Sequence, residues 1–559
     1  MQKMVIEANI VDIIQKKIYP ARISFDTHIR KIELFRANSC NSWTPKIPEK
    51  YIIPGLVDAH VHIESSMLPP SEFARIAVRH GTLAAVSDPH EIANVLGLEG
   101  IDFMIADSAH IPFKFIFGAP SCVPATSFET AGAHITADDI DKLFKSGIVS
   151  YLSEMMNFPG VLFRDPEVMA KIAVAQKYGK PVDGHAPGLT GEELRKYVEA
   201  GITTDHECSS FAEAEEKILS GMKILIREGS AAKNFNALCY LIEKYPDSVM
   251  LCSDDLHPDD LLKGHINKLL AKGIENQLDL FSLLRAATLN PVKHYQIDLG
   301  LVQTGDSADF IIVDNLKDFT VQQTYLRGAC VYDRVGEEAR KLYSSETTFP
   351  NYFNASKITA EDLSIVATSE KMKVIQAFDS ELLTKQIVYD VQKDAIVKTD
   401  TDADILKMVV VNRYQPAKPA VAFVRGFGLK QGALVSTVAH DSHHIVAVGC
   451  DDDSLVQAIN HIIDLKGGLT ACYQNSLIDL KLDIAGLMSS SSGEEVGKAY
   501  EQLNSIASRM GCLLNSPFMT LSFMALLVIP ELKLGEKGLF DVQKFNWTDM
   551  FREQLKVES

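Results

Sequence analysis

Two histidines one residue apart close the apolar stretch 51-YIIPGLVDAHVHIESSM-67. On a β-strand, positions i and i+2 point to one face, so His60 and His62 can offer two imidazoles to a single metal ion. Taken alone, the pair reads equally well as two surface histidines at a strand end. Four further residues shift the balance: Glu154 in 147-GIVSYLSEMM-156, His185 in 183-DGHAPG-188, His206 in 203-TTDHECSS-210 and Asp254 in 252-CSDDLHPDD-260. Each stands where an apolar run stops. Four neutral imidazoles and two carboxylates can hold two divalent ions with one carboxylate bridging. Ions about 3.5–4 Å apart can share a hydroxide and polarise a substrate atom. Borderline N/O ligands suit Zn, Mn or Fe.

Such residues need strand ends to stand on. Between about 51 and 295, short apolar segments alternate with longer amphipathic ones, the texture of repeated βα units. Eight candidate strands follow in order: 53-IPGLVDAHVH-62, 81-GTLAAVSDPH-90, 112-PFKFIFGAP-120, 147-GIVSYLSEM-155, 180-KPVDGHAP-187, 201-GITTDHECS-209, 221-GMKILIREGS-230 and 248-SVMLCSDD-255. Segments between them, such as 166-PEVMAKIAVAQKYG-179 and 191-GEELRKYVEAG-201, carry helical spacing and end at Gly. Eight such units in roughly 250 residues predict an α/β fold built on a metal-dependent (β/α)8 TIM-like barrel, 51–295, with the polar residues at its C-terminal rim. Short strands and tight turns at 1–50 and 296–345 predict one small flanking β domain made from both ends of this N-terminal part. Residues 351–559 predict a C-terminal α+β domain with strands at 387-IVYDVQKDAIV-397, 405-ILKMVVVNR-413, 420-AVAFVRGFG-428 and 443-HHIVAVG-449.

The bulk composition narrows the partners. A chain of 559 residues exceeds one ordinary core. A formal net charge of −18, with no Lys/Arg run, argues against nucleic acid as partner. The most apolar run, 518-FMTLSFMALLVI-529, lies between Pro517 and Pro530 and is too short to span a membrane. The 9 Cys include no C-x-x-C pair and read as reduced thiols, and the first residues lack a signal-peptide layout. A cytoplasmic soluble protein acting on a small molecule is the expectation.

Other residues near the predicted rim have two readings each. Asp88, His90 and Glu91 can orient substrate or cap the following helix. Glu64 and Ser65 follow the histidine pair and can line a pocket. Glu207 alternates away from His206 and reads as structural. Cys208 and Cys252 lack a base and read as pocket wall or core. His440, Asp441, Ser442 and His443 form a dense polar cluster, either a satisfied turn or a closure over the barrel mouth.

The motifs also carry a resemblance. The stretch 54-PGLVDAHVHIE-64, followed by Glu, His, His and Asp on the fourth, fifth, sixth and eighth strands, resembles the amidohydrolase superfamily. Many members use a carboxylated Lys on the fourth strand; 147-GIVSYLSEMM-156 has no Lys and offers Glu154. Further stretches, 87-SDPHEIANVLG-97, 118-GAPSCVPAT-126, 183-DGHAPGLTGEEL-194, 440-HDSHHIVAVG-449, 485-AGLMSSSS-492 and 528-VIPELKLGEKGLFDV-542, look like the large two-metal adenine deaminases over nearly the whole chain. Two positions depart from that pattern: His444, where Asn is expected, and Asp483, where Pro is. Neither is a proposed ligand.

The resemblance implies hydrolytic deamination of adenine to hypoxanthine and ammonia by a metal-bound hydroxide at a binuclear site. It implies His60, His62, His185 and His206 as ligands, Glu154 as bridge, and Asp254 as ligand and proton shuttle. Asp255 competes for that last role. The implied cofactors are two divalent ions, Mn or Fe(II) favoured and Zn admissible, and the implied assembly is a homo-oligomer, most simply a homodimer. Single-zinc nucleobase deaminases need a P-C-x-x-C segment, and none is present. The alternatives are another two-metal amidohydrolase acting on a cyclic amide or amino-heterocycle, and a catalytically dead scaffold, which should have lost ligands.

Overall fold

The computed structural model describes residues 3–35, 49–109, 111–230, 232–336, 348–379 and 381–551. Both flanks of the first half meet in one seven-stranded sheet, ordered Ala329–Asp333, Val321–Leu326, Phe310–Val313, Tyr51–Pro54, Met4–Asp12, Lys17–Phe25, Ile29–Leu34. Met4–Asp12 pairs antiparallel with Lys17–Phe25. The turn between them is set by Asp12, whose carboxylate accepts from Ile14 N at 2.9 Å and Gln15 N at 2.8 Å. Tyr51–Pro54 lies parallel to Met4–Asp12 and antiparallel to Phe310–Val313, knitting the two ends together. The chain leaves this sheet at Gly55, where an added Cβ would lie 2.3 Å from Leu83 Cδ1.

Eight parallel strands follow, numbered here β1 (Leu56–Val61), β2 (Thr82–Ser87), β3 (Lys114–Ala119), β4 (Tyr151–Met155), β5 (Val182–Gly184), β6 (Thr204–Asp205), β7 (Lys223–Arg227) and β8 (Val249–Cys252). Each of the eight predicted segments contains one of them. β1 to β5 pair in order as one curled sheet and β6 to β8 as a second. Hydrogen bonds cross both seams. Asp254 N donates to His60 O at 2.9 Å and His62 N to Asp254 O at 3.2 Å, while Thr203 N donates to Val182 O at 2.8 Å. β1, β2 and β8 are buried along their whole length, as sheets covered on both faces require. Helices follow strands, and some start at side-chain caps. Before Pro166–Lys177, Asp165 accepts from Glu167 N and Val168 N at 2.9 and 3.1 Å, and Pro166 presets the first turn.

The second half is an eight-stranded, mostly antiparallel sheet, ordered Lys385–Asp390, Lys371–Gln376, Ala420–Arg425, Leu406–Val411, Ile445–Gly449, Ala433–Ser436, Gly468–Tyr473, Ser476–Lys481. Helices Asp452–Leu465 and Gly493–Arg509 accompany it, the second opened by a Ser492/Glu495 capping box. This half docks on the parallel sheet. One hydrophobic cluster contains Val57, Ile76 and Ala85 together with Met408, Leu434 and Val496. Gly493 marks the closest approach, because a Cβ there would lie 2.2 Å from Ile76 Cδ1. The predicted apolar run beyond Pro517 folds as the short buried helix Pro517–Phe523. Among the described residues, no helix is long and apolar enough to cross a membrane.

Candidate metal centre

The six residues singled out at strand ends converge. His60 lies within β1 and His62 one residue past its end; Glu154 lies in β4, His185 and His206 directly follow β5 and β6, and Asp254 comes two residues after β8. His60 Nε2 and His62 Nε2 are 3.2 Å apart and lie 3.5 and 3.3 Å from Asp254 Oδ1. Glu154 stands between two groups: Oε1 is 3.4 Å from His62 Nε2, and Oε2 is 2.9 Å from both His185 Nδ1 and His206 Nε2. Ligand atoms lie within 4.8 Å of one another in His60–His62–Asp254, in His60–Glu154–His206 and in His185–His206–Glu207. The same holds for His62–Asp88–His90–Glu154, so groups that could hold a metal ion surround Glu154.

The electrostatics fit a cation. Burial pushes Glu154 up, but the imidazoles of His185 and His206 hold it well below the usual carboxylate range. Burial also raises Asp254, and Arg227 with His60 and His62 pulls it well below. The carboxylates in turn push His62 well above its ordinary value, against burial, and His185 up to about 9. Metal uptake at such a site is an exchange of protons for cations. The chain also presents His62 in a defined tautomer. Its Nδ1 lies 3.2 Å from the Asp88 carbonyl, which can only accept, so Nδ1 carries a proton and Nε2 is the nitrogen left to meet a metal ion.

A second layer holds these groups. Asp58 of β1 accepts from Ser253 N at 2.9 Å and bonds His265 Nε2 at 2.8 Å, locking the segment that carries Asp254 to β1. Lys217 donates to Asp205, Glu213 and Ala186 O at 2.7, 2.8 and 2.7 Å, fixing the ends of β5 and β6. Asp254 has φ 58, a conformation that a non-Gly residue adopts at a cost of about 1–3 kcal/mol.

Two residues were missed or misread in the sequence. Glu207 is in the site, its Oε1 3.5 Å from His185 Nδ1 and 3.4 Å from His206 Nε2. Strand alternation placed it on the opposite face, but β6 ends at Asp205, so the period of two no longer applies to 206–207. Arg227, at the end of β7, donates to Glu207 Oε2 at 2.9 Å and Asp254 Oδ2 at 2.7 Å. Its signal was a lone Arg ending the apolar strand KILIR.

The remaining predicted residues divide. Ser65 donates to Asp255 Oδ1 at 2.5 Å, so Asp255 is turned to Ser65 while Asp254 faces the histidines. Glu64 Oε1 accepts from Ile92 N at 3.1 Å, and burial pushes its carboxyl up to about 7. Asp88 accepts from His90 N at 3.1 Å, as a helix cap does, and also sits 3.2 Å from His90 Nδ1. His90 bridges inward and outward, 3.6 Å from Glu154 Oε1 and 3.9 Å from Asp441 Oδ1. Glu91 pairs with His440 Nδ1 and His443 Nε2 of the second half. The 440–443 cluster therefore packs onto the ends of the parallel strands. Cys208 and Cys252 are buried, with thiols pushed up by burial, which leaves them unreactive.

Comparison with known proteins places this geometry in a class. Residues 51–331 match the model of the amidohydrolase family, whose members work with divalent metal ions. Residues 381–546 match the adenine deaminase C-terminal domain. An "Adenine deaminase" of Methanosarcina barkeri is 53% identical over 90% of this chain and 93% of its own length. Proteins of the same name from Sulfurovum sp. and Salinibacter ruber are 50% and 48% identical, each over 98% of this chain and over 100% and 98% of their own lengths. The chain belongs to the adenine deaminase family of amidohydrolases.

Proposed function

We propose that this protein hydrolyses adenine to hypoxanthine and ammonia at a binuclear metal centre. The carrying observation is the convergence of His60, His62, Glu154, His185, His206 and Asp254 on one buried spot, in a chain about half identical to adenine deaminases along nearly its full length. The eight parallel strands are read as one (β/α)8 barrel, with this spot at its C-terminal rim. The flanking seven-stranded sheet and the C-terminal α+β half are read as separate domains.

His60, His62 and Asp254 would hold one ion, His185 and His206 the other, and Glu154 both; Mn or Fe(II) is the favoured pair, with Zn suited to the same donors. Such ions, when bound, activate water at neutral pH and polarise the substrate. The protein's own groups handle the protons. Asp254 takes the proton of the attacking water and delivers it to the departing amino nitrogen, so that C6 gains oxygen and ammonia leaves. Arg227 on Asp254 Oδ2 leaves Oδ1 turned to the histidines and thus to the reacting centre. Glu64, whose carboxyl is pushed up by burial, is placed to donate a proton to the ring as charge builds there and to take back the second proton of the attacking water. Among the described residues its Oε2 has no hydrogen-bond partner.

The test is ammonia release from adenine by protein reconstituted separately with Mn, Fe(II) and Zn, with hypoxanthine identified as product. Metal-dependent turnover is expected. Two ions bound per chain without turnover would keep the centre and discard adenine.

A further inference from the structure

Buried side-chain atoms without a hydrogen-bond partner are rare in folded proteins, and a group of them asks for an explanation. Among the described residues several gather near the metal centre and the 440–444 loop: Glu64 Oε2, Glu129 Oε1, Asp441 Oδ2, Ser442 Oγ and His443 Nδ1. Slack in the loop does not account for them. Glu91 grips His440 and His443, Tyr414 OH donates to Ser442 O at 2.6 Å, Arg413 Nη1 donates to His443 O at 3.3 Å, and His440 stacks on Phe523 at 4.6 Å with 9° between rings. The loop is clamped, and among the described residues Asp441 Oδ2 and His443 Nδ1 still make no hydrogen bond.

Asp441 is the central one. It is 5% exposed, and its Oδ1 lies 3.9 Å from His90 Nε2, while His90 Nδ1 lies 3.6 Å from Glu154 Oε1. Asp441 thus stands at most one imidazole width and two contacts from the metal-binding carboxylate. A purine with C6 at the centre carries its five-membered ring outward over a comparable reach. The other acids nearby are engaged or differently disposed. Asp255 holds Ser65, Glu64 caps Ile92 N, and Glu129 is pushed well above the usual carboxylate range by burial and by Glu536 and Asp441. A carboxylate is an acceptor only, and free adenine has one ring N–H, on the five-membered ring; a 9-substituted purine has none.

Resting on the adenine reading above, we propose that Asp441 is a specificity-determining residue that accepts the ring N–H of the purine's five-membered ring, and that Glu91 positions it by holding His440 and His443. The C-terminal half then supplies the selection of free base over nucleoside, by a hydrogen bond as well as by shape.

The test compares metal-loaded full-length wild type, Asp441→Ala and Asp441→Asn on adenine and on 9-methyladenine, with bound metal counted for each. Asp441→Ala is expected to keep its ions and most of its kcat while KM for adenine rises about 10- to 100-fold, the cost of leaving a buried donor unpaired. Its preference for adenine over 9-methyladenine should shrink by a similar factor, since the methylated ring has no N–H to lose. Asp441→Asn keeps volume and a carbonyl acceptor, and should fall between the two; it carries the test if the Ala variant does not fold. An unchanged KM and an unchanged preference in a folded variant overturn the assignment of Asp441 alone. No turnover of adenine by the loaded wild type overturns the adenine reading, and this one with it.

Discussion

Glu154 and Glu91 are both buried carboxylates with an imidazole on each oxygen, yet they are built for different work. Around Glu154 the imidazoles come from the ends of parallel strands, and a second carboxylate, Asp254, shares His62 Nε2 with it, at 3.3 Å against 3.4 Å. Three acids there, Glu154, Asp254 and Glu207, are met by the guanidinium of Arg227 and by imidazoles that the carboxylates push above their ordinary value, so exchangeable protons stand where a metal ion can bind. Around Glu91 the partners come from the other half of the chain. Burial lowers both, but Glu91 carries His440 up to about 9, while His443 stays below its ordinary value as a neutral donor. One charge on each side makes that arrangement a clasp. A pair whose partners come from the other half of the chain holds two surfaces together; a cluster whose imidazole protons can be exchanged can take up a cation.

The largest effect should come from the cluster around Glu154. Asp254→Asn removes the proposed proton shuttle, and turnover should fall by about 10²–10⁴-fold or more, with adenine binding still measurable. Asp255→Asn leaves Asp254 in place and should cost far less. Steady-state kinetics on both variants decides between neighbouring residues. An active Asp254→Asn beside a dead Asp255→Asn would exchange their roles.

The clasp should break in a different currency. Glu91→Gln leaves His440 buried without its counter-charge, which costs about 3–5 kcal/mol for a buried pair that loses one member. A lower melting temperature and a raised KM for adenine are expected, with two metal ions still bound. Metal loss would mean that the two carboxylates are less separable than their surroundings suggest.

Arg227→Met tests the layer between them. Removing the guanidinium frees Asp254 Oδ2 and Glu207, and supporting groups of this kind are worth about 10- to 100-fold. A fall in kcat of that size is expected together with a lower melting temperature, since Glu207 and Asp254 stay buried without their guanidinium; an unchanged kcat would leave Arg227 as charge balance only.

How much of this was legible in the sequence follows from what each element obeys. His60, His62, Glu154, His185, His206 and Asp254 sit where apolar runs stop, a signal that survives without a structure because strand ends are fixed by composition. Glu207 was misread because a rule for strands was carried past the last strand residue. Arg227 was passed over because a lone Arg ending a strand looks like a solvated end until its two carboxylate partners are seen. The Glu91 clasp joins positions roughly 350 apart in the chain. No local period relates them, so the polar cluster 440–443 could be noticed in the sequence but not paired.

The smallest effect separates the clasp from an ordinary surface pair by pH. His440 is raised above its unfolded value of about 6.5, so its contribution is fully present below that pH and is lost as pH rises through about 9. The melting-temperature gap between wild type and His440→Gln should therefore be wide near pH 6 and narrow by about pH 10. His461 and Asp479 provide the comparison: their atoms are 3.1 Å apart, but the side chains are 27% and 32% exposed. Water and salt screen such a pair, and His461→Gln should change stability by less than about 0.5 kcal/mol, with no comparable trend across the same pH range. A His440→Gln gap as small and as flat as that of His461→Gln would mean that Glu91 contributes no more than a surface contact, and the contrast between the two buried carboxylates would fail at its weaker side.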